Sequence, residues 1–250
     1  MLKGNAVIAN SEYTAKKISL NYQFDINKID IIPRGVNCED FKTINFPNNE
    51  ILNLRKKWTK NNNQKIILLP ARYTRWKGHE LAIKALSELS KKNANLNFSI
   101  IFVGNKKGNE KYINHLEKLS NKLGISNYLR ILENFDNMPL AYLSSDIILY
   151  PSIVPEPFGR VSIEAQAAGK IIIASDDGGT KETIVDGINN SGFRFKSNNL
   201  DDLTNKIDFA LKLNDGEISN ITKRAIKNVS ENFSLENMCK KTLDVYDRIL

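Results

Sequence analysis

The stretch from residue 146 to residue 180 reads DIILYPSIVPEPFGRVSIEAQAAGKIIIASDDGGT and admits few folds. An apolar run, Ile147 to Tyr150, enters a loop with prolines at 151, 155 and 157. Phe158, Gly159 and Arg160 then open a helix whose apolar positions are Val161, Ile163, Ala165 and Ala168. Gly169 ends the helix, and a second apolar run, Ile171 to Ala174, follows. Strand, loop, helix, strand is the βαβ unit of a parallel sheet. Two carboxylates bracket the helix start: Glu156 in the loop, and Glu164 eight positions later inside the helix. A helix N-terminus offers free N–H groups and the positive end of a dipole, which suits an anion. In open α/β sheets the ligand crevice lies at the carboxyl ends of the strands, where this loop falls. Glu164, about two turns in, is placed to accept hydrogen bonds from sugar hydroxyls. A plain βα turn with solvated glutamates has the same spacing, so spacing alone leaves both readings open.

The rest of the chain repeats the alternation. Residues 6 to 9 predict a short strand, and Ser11 caps a helix running to about Tyr22, with Ala15 and Ile18 facing inward. Ile29 to Ile32 predicts a second strand, stopped by Pro33 and Gly35. Two strands make a poor sheet by themselves, so these are expected to belong to a larger sheet whose other strands are not in this sequence. Residues 38–64 are expected to be a linker with a short helix, ending in the polar run Thr59 to Gln64. Strands are then predicted at 66–69, 98–103, 128–132 and 192–195, beside the two of the central unit. Helices are predicted at 78–91, 110–123, 138–144, 180–185, 200–213, 217–229 and 235–250. Near-continuous apolar strands alternating with helices mean an α/β chain with a doubly wound, Rossmann-like parallel sheet.

Composition narrows the class. Of the 250 residues, 41% are hydrophobic and 26% charged, as in globular chains. No apolar run approaches the roughly 20 residues of a membrane span. The N-terminus lacks a basic segment followed by an apolar one, so no signal peptide is expected. Cys38 and Cys239 lie far apart without metal-ligand spacing, which predicts free thiols in a reducing cytoplasm. The net charge of +8 is scattered, and clusters such as Arg55–Lys57 and Lys106–Lys107 are short. That balance fits a solvated surface and leaves peripheral contact with the inner face of an anionic membrane open. Without an RNA-binding aromatic motif or zinc spacing, nucleic acid is not an expected partner.

A second group of chemistry-bearing residues follows the first strand of the regular region, in PARYTRWKGHE. Arg72 and Lys77 fall in a loop at a carboxyl end, facing the same crevice as the helix start at Phe158. A forked guanidinium, an ammonium and backbone amides together suit a diphosphate. Arg75 is expected to be an ordinary surface cation, His79 a helix-surface residue and His115 a bland mid-helix residue. No D-x-D, G-x-G-x-x-G, Walker or G-x-S-x-G pattern occurs.

These segments resemble a known family: IPRGVN (32–37), LPARYTRWKG (69–78), FVGN (102–105), DNMP (136–139), PEPFGRVSIEAQAAG (155–169) and SDDGGTKE (175–182). The chain is similar to GT-B-fold, family 4 (glycosyl transferases group 1) retaining glycosyltransferases, and more narrowly to bacterial cell-envelope and lipopolysaccharide sugar transferases. The resemblance covers essentially the whole chain. An E-x7-E pair alone is a weak signal; in this order, with Arg72 and Lys77 five apart, it is strong. The resemblance implies a donor site binding a UDP- or GDP-hexose, with no metal and no further cofactor. Arg72 and Lys77 would neutralise the donor diphosphate. The amides of Phe158, Gly159 and Arg160 would meet phosphate and sugar hydroxyls, with Val161 beside them. Glu156 would bind the donor sugar and Glu164 the ribose, while Gly104 and Leu132 would complete the donor site. Arg72, Lys77 and Glu156 are the implied catalytic residues.

Two departures accompany the resemblance. The family usually has glycine near Glu133, where the backbone approaches the base. Its members also carry a whole acceptor domain before the segment resembling residues 1–37. Residues 1–37 are therefore expected to be a remnant of that domain, 38–64 a linker, 65–234 the nucleotide-sugar-binding domain and 235–250 a crossover helix. On this reading the chain transfers sugar when a separate N-terminal half is supplied, or it self-associates through residues 1–35 and 235–250. The alternative is a nucleotide-binding remnant that transfers nothing.

Overall fold

The computed structural model describes residues 4–61, 63–92 and 97–250. Short apolar runs become strands and each is followed by a helix. β1 (Val7–Ala9), α1 (Glu12–Tyr22) and β2 (Ile29–Ile31) come first, with β1 and β2 paired in parallel as a two-stranded sheet. Ser11 caps α1, its side chain accepting the Thr14 N–H. After α2 (Asn48–Trp58) come β3 (Lys65–Pro70), α3 (His79–Lys92), β4 (Phe98–Val103), α4 (Glu110–Lys122), β5 (Leu129–Leu132) and α5 (Met138–Leu143). The central unit is β6 (Ile147–Tyr150), α6 (Arg160–Ala167) and β7 (Ile171–Ser175). The short α7 (Thr180–Thr183), β8 (Phe193–Phe195), α8 (Leu200–Lys212), α9 (Asp215–Asn232) and α10 (Leu235–Ile249) complete the chain.

Strands β3 to β8 form one parallel sheet in the order β5-β4-β3-β6-β7-β8. The chain winds outward from β3, returns to β6 and winds the other way, so the topological switch point lies between β3 and β6. β3 pairs with β4 along its whole length, from Lys65 to Pro70, but with β6 only at Ile67↔Ile147 and Leu68↔Ile148. Beyond Leu68 and Ile148 the carboxyl ends of β3 and β6 no longer pair with each other, and the crevice opens there. Period-2 alternation sends Ile67 and Leu69 into one core layer, with α3, α4 and α8, and Ile66 and Leu68 into the other.

The structure corrects two sequence expectations. Residues 38–64 are not a mere linker: Phe41, Leu54 and Trp58 are buried in the second core layer, beside Ile66, Leu68 and Tyr142. The Ser99 hydroxyl donates to the Trp58 carbonyl at 2.6 Å. The polar run after Trp58 masked this, because Leu54 and Trp58 are the only buried residues of α2. His79 is not on a helix surface but fully buried, its ring 5.3 Å from that of Tyr73 and 5.0 Å from that of Phe102. It heads the inward stripe His79, Ala82, Ile83, Leu86, which fits i, i+3, i+4, i+7.

Neither ring nitrogen of His79 makes a well-formed hydrogen bond among the described residues, and burial pushes its pKa down to about 4. The imidazole is therefore neutral in the fold at pH values where the unfolded chain, with a pKa near 6.5, already binds a proton. The sign follows: His79 has no effect on stability above pH 6.5 and increasingly destabilises as pH falls from 6.5 towards 4. The full shift corresponds to about 3 kcal/mol. His79→Phe should flatten that part of the profile, as read from urea denaturation at pH 7.5 and 4.5. A variant that loses as much stability as the native chain over that interval would remove His79 as the cause.

Candidate functional site

The loop after β3 carries the two cations, and Gly78 determines where it lies. Its φ is +76°, and a Cβ there would sit 1.8 Å from the Pro151 carbonyl oxygen. Only glycine permits this approach, so the loop rests directly on the residue that follows β6. The Ile153 N–H donates to the Trp76 carbonyl at 2.9 Å, fixing the same contact. Lys77 thereby reaches Glu156, with Nζ 2.6 Å from Oε1, and both side chains are nearly buried, at 11% and 6% exposure. The ammonium also lies 4.1 Å from the Trp76 ring centroid and 5.0 Å from that of Tyr150. Burial lowers the Lys77 pKa, Glu156 opposes the shift and Arg72 adds to it. The Ser152 hydroxyl donates to the same Glu156 oxygen.

The loop carrying Glu156 is held from the other side by the turn after β7. A Cβ on Gly178 (φ +59°) would lie 2.4 Å from the Glu156 carbonyl oxygen, and the Gly179 N–H donates to that oxygen at 2.7 Å. Phe158 buries its ring against Phe233 at 5.9 Å, which leaves only its backbone for a ligand. Gly159 caps α6 without a side chain, and the N–H groups of Gly159, Arg160 and Val161 have no acceptor among the described residues. They are orphan donors at the positive end of a helix.

Glu164, one turn into α6, accepts the Tyr142 hydroxyl at 2.8 Å and the Arg160 Nε–H at 2.7 Å. It forms part of the wall of a cavity of about 360 Å³ at the switch point, together with Arg72, Gly104, Phe135, Tyr142 and Val161. The size lies within the range of small-molecule sites. The Arg72 guanidinium is exposed at this cavity and sits 5.8 Å from the Trp76 ring centroid.

The structure thus brings Arg72, Gly104, Val161 and Glu164 around one cavity. Lys77 and Glu156 pair in the adjoining loops. Leu132 is not part of the cavity wall: its carbonyl oxygen accepts the Tyr73 hydroxyl at 2.5 Å and the Gly104 N–H at 3.4 Å. Glu133 also turns away, accepting the Lys106 N–H at 3.1 Å and the Asn134 N–H at 3.2 Å, so it ties two loops together. Sequence reasoning missed Ser152 and Tyr142, the partners of the two glutamates. Ser152 lies four residues before Glu156, but no spacing rule marks it, and Tyr142 reaches Glu164 only through the fold.

The model of the glycosyl transferases group 1 family matches residues 50–230. The chain belongs to that family. An uncharacterized glycosyltransferase of Methanocaldococcus jannaschii is 30% identical over 242 residues, covering 96% of this chain and 59% of that protein. The lipopolysaccharide 1,2-N-acetylglucosaminetransferase of Salmonella typhimurium is 27% identical over 217 residues, covering 85% and 55%. The chain therefore spans little more than half the length of these group 1 relatives. Among solved structures, a glycosyltransferase from Rickettsia africae superposes with a TM-score of 0.92 at 36% identity, covering 99% of this chain and 64% of that one. Anabaena HepE, solved with UDP-glucose, gives a TM-score of 0.87 at 24% identity, covering 98% and 64%. The six-stranded parallel sheet is the Rossmann-like fold of these GT-B structures. No helix among the described residues is long and apolar enough to cross a membrane.

Proposed function

We propose that the crevice between β3 and β6 binds a UDP- or GDP-linked hexose and that the chain supplies the donor side of a retaining transfer to a cell-envelope glycan or lipid. The observation that carries this reading is the nearly buried Lys77–Glu156 pair, which stands beside the orphan amides of α6 and the cavity at Arg72 and Glu164. An ammonium, a guanidinium and free N–H groups are the donor set for a diphosphate. Glu164 then takes the ribose hydroxyls, and Glu156 the hydroxyls of the donor sugar. In the transfer, the bond from the sugar anomeric carbon to the diphosphate oxygen breaks. A bond to the acceptor oxygen forms on the same face, and the acceptor proton passes to the departing phosphate. Arg72 and Lys77 stabilise the negative charge that develops on that phosphate. The group 1 family membership and the lipopolysaccharide-type relative support the reaction class and the acceptor class.

In this reading residues 65–234 form the donor-binding domain, and α10 crosses back to the β1–α1–β2 unit. Arg248 bonds Asp30 at 2.5 Å, and the Gly35 N–H points to the Met238 sulfur at 3.2 Å. Isothermal titration calorimetry with UDP, GDP, UDP-glucose and GDP-mannose tests the site. One nucleotide series should bind and the other should bind weakly, and no heat from any of the four would refute the reading. Because Arg72 and Lys77 take the place of a metal in neutralising the diphosphate, the affinity should be the same with Mg²⁺ and with EDTA. A strict divalent-cation requirement for binding would remove that role from the two cations.

A further inference from the structure

The N-terminus of α1 is fastened to the donor loop and to α7 by three side chains, those of Ser11, Thr14 and Glu182. The Glu182 carboxylate, on α7, accepts the backbone N–H groups of Glu12 and Tyr13, each at 2.8 Å. Ser11 and Thr14 direct their hydroxyls at the Pro157 carbonyl oxygen, at 2.5 and 3.0 Å. The Thr14 N–H goes to the Ser11 side chain and the Ala15 N–H to the Ser11 carbonyl. All four first-turn donors of α1 are thus satisfied, two of them by a carboxylate some 170 positions away in the chain. Ser11 is fully buried in this contact.

What α1 grips is the segment that carries the donor chemistry. Pro157 lies between Glu156, paired with Lys77, and Phe158, whose residue opens the orphan amides of α6. Gly179, three residues before Glu182, donates to the Glu156 carbonyl. Glu156 is therefore bracketed: its own carbonyl is held by the turn that leads into α7, and the next carbonyl is held by α1. A shift of this loop by the length of one hydrogen bond must either break the α1 contacts or carry α1 with it. Two groups of contacts that share one backbone segment are energetically coupled, and the coupling is reciprocal.

We propose that Glu182, Ser11 and Thr14 form a clasp that couples occupancy of the donor-sugar end of the site to the seating of the β1–α1–β2 unit. The inference rests on the reading of Glu156 as the donor-sugar ligand. A sugar held by Glu156 fixes the loop and so strengthens the clasp. A bare nucleoside diphosphate, which engages Arg72, Lys77, Glu164 and the α6 amides, leaves Glu156 without a ligand and so fixes its part of the loop less. These three are positioning residues, since none of them touches the proposed ligand.

The test compares UDP with UDP-glucose, and GDP with GDP-mannose, in the native chain, Glu182→Ala and Thr14→Val. Thr14→Val removes the hydroxyl bond to Pro157 and the 2.9 Å contact between the Thr14 and Ser11 hydroxyls, and leaves the Thr14 N–H on the Ser11 side chain and Glu182 in place. Far-ultraviolet circular dichroism and a thermal melt establish that each variant is folded. By calorimetry, Glu182→Ala should weaken the nucleotide sugar about five- to tenfold and the nucleoside diphosphate less than about twofold. Thr14→Val should weaken in the same direction by a smaller factor. By hydrogen exchange, the amides of Glu12 and Tyr13 in the native chain should be further protected by the nucleotide sugar but not by the diphosphate. Variants that lose both ligands equally, or neither, overturn the clasp and leave the site intact. A native chain that binds none of the four ligands overturns the site, and the clasp with it.

Discussion

Replacing Lys77 by alanine should cost the chain both stability and diphosphate affinity, and a double variant should separate the two losses. Lys77 is the ion-pair partner of Glu156, a residue 5% exposed whose carboxylate would be left with the neutral hydroxyls of Ser152 and Tyr150. Breaking a buried pair by removing one partner typically costs about 3–5 kcal/mol, because the other charge stays behind uncompensated. Lys77→Ala/Glu156→Gln removes that stranded charge, so most of the stability should return on urea denaturation. The affinity should not return, because the diphosphate still lacks its ammonium. A charge-assisted hydrogen bond contributes roughly 1.5–3 kcal/mol, so UDP or GDP should bind at least about tenfold more weakly in both variants. Arg72 provides the control. Its guanidinium is exposed at the cavity, so Arg72→Ala should weaken the diphosphate while leaving the melting temperature near that of the native chain. Uridine or guanosine without phosphates should be affected much less by any of these changes. Equal losses for nucleoside and nucleoside diphosphate would place the phosphates elsewhere.

Much of this site was legible in the sequence because the fold is built from local patterns. Apolar runs at 66–69, 98–103, 147–150 and 171–174 became neighbouring strands of one sheet, and the loops at their carboxyl ends carried Arg72, Lys77 and Glu156 together. What the pattern could not show was tertiary. The burial of His79 is hidden in the sequence because the inward stripe of α3 begins one position after Gly78, earlier than the leucines indicate. Residues 38–64 carry no core pattern in the sequence because Phe41, Leu54 and Trp58 are isolated among polar neighbours, although each fills the core. The partners of the glutamates, Tyr142 and Ser152, and the contacts from Glu182 to α1 depend on the packing of separate elements and leave no periodic trace. Gly78 and Gly178 lay within the segments that carried the resemblance. Their reason for being glycine, a backbone passing within 2.4 Å or less of where a Cβ would stand, appears only once the loops are packed.

Glutamine in place of each glutamate should divide the donor site into its two ends. Glu164 belongs to the cavity wall with Arg72 and Gly104 and already orients through Tyr142 and Arg160. A carboxylate held by two donors still has free lone pairs for a pair of adjacent hydroxyls. Glu164→Gln should therefore weaken UDP, GDP and their sugars alike, by about tenfold, since a hydrogen bond to a charged group is worth roughly 1.5–3 kcal/mol and ribose is common to all of them. Glu156 stands outside that cavity wall, at the Lys77 end. Glu156→Gln should weaken only the nucleotide sugars, through the lost contact to the sugar hydroxyls. It should also release Lys77 from its ion pair, so the affinity for the bare diphosphate should hold or rise. That opposite response is the informative part of the experiment. A general loss of folding would lower both affinities, whereas a charge moved from a carboxylate to a phosphate lowers one and raises the other. Titrating the two variants with a diphosphate and its nucleotide sugar reads all four values directly. The reverse ranking, with Glu156→Gln weakening every nucleotide and Glu164→Gln only the sugars, would show that the sugar lies in the cavity and the ribose at Lys77.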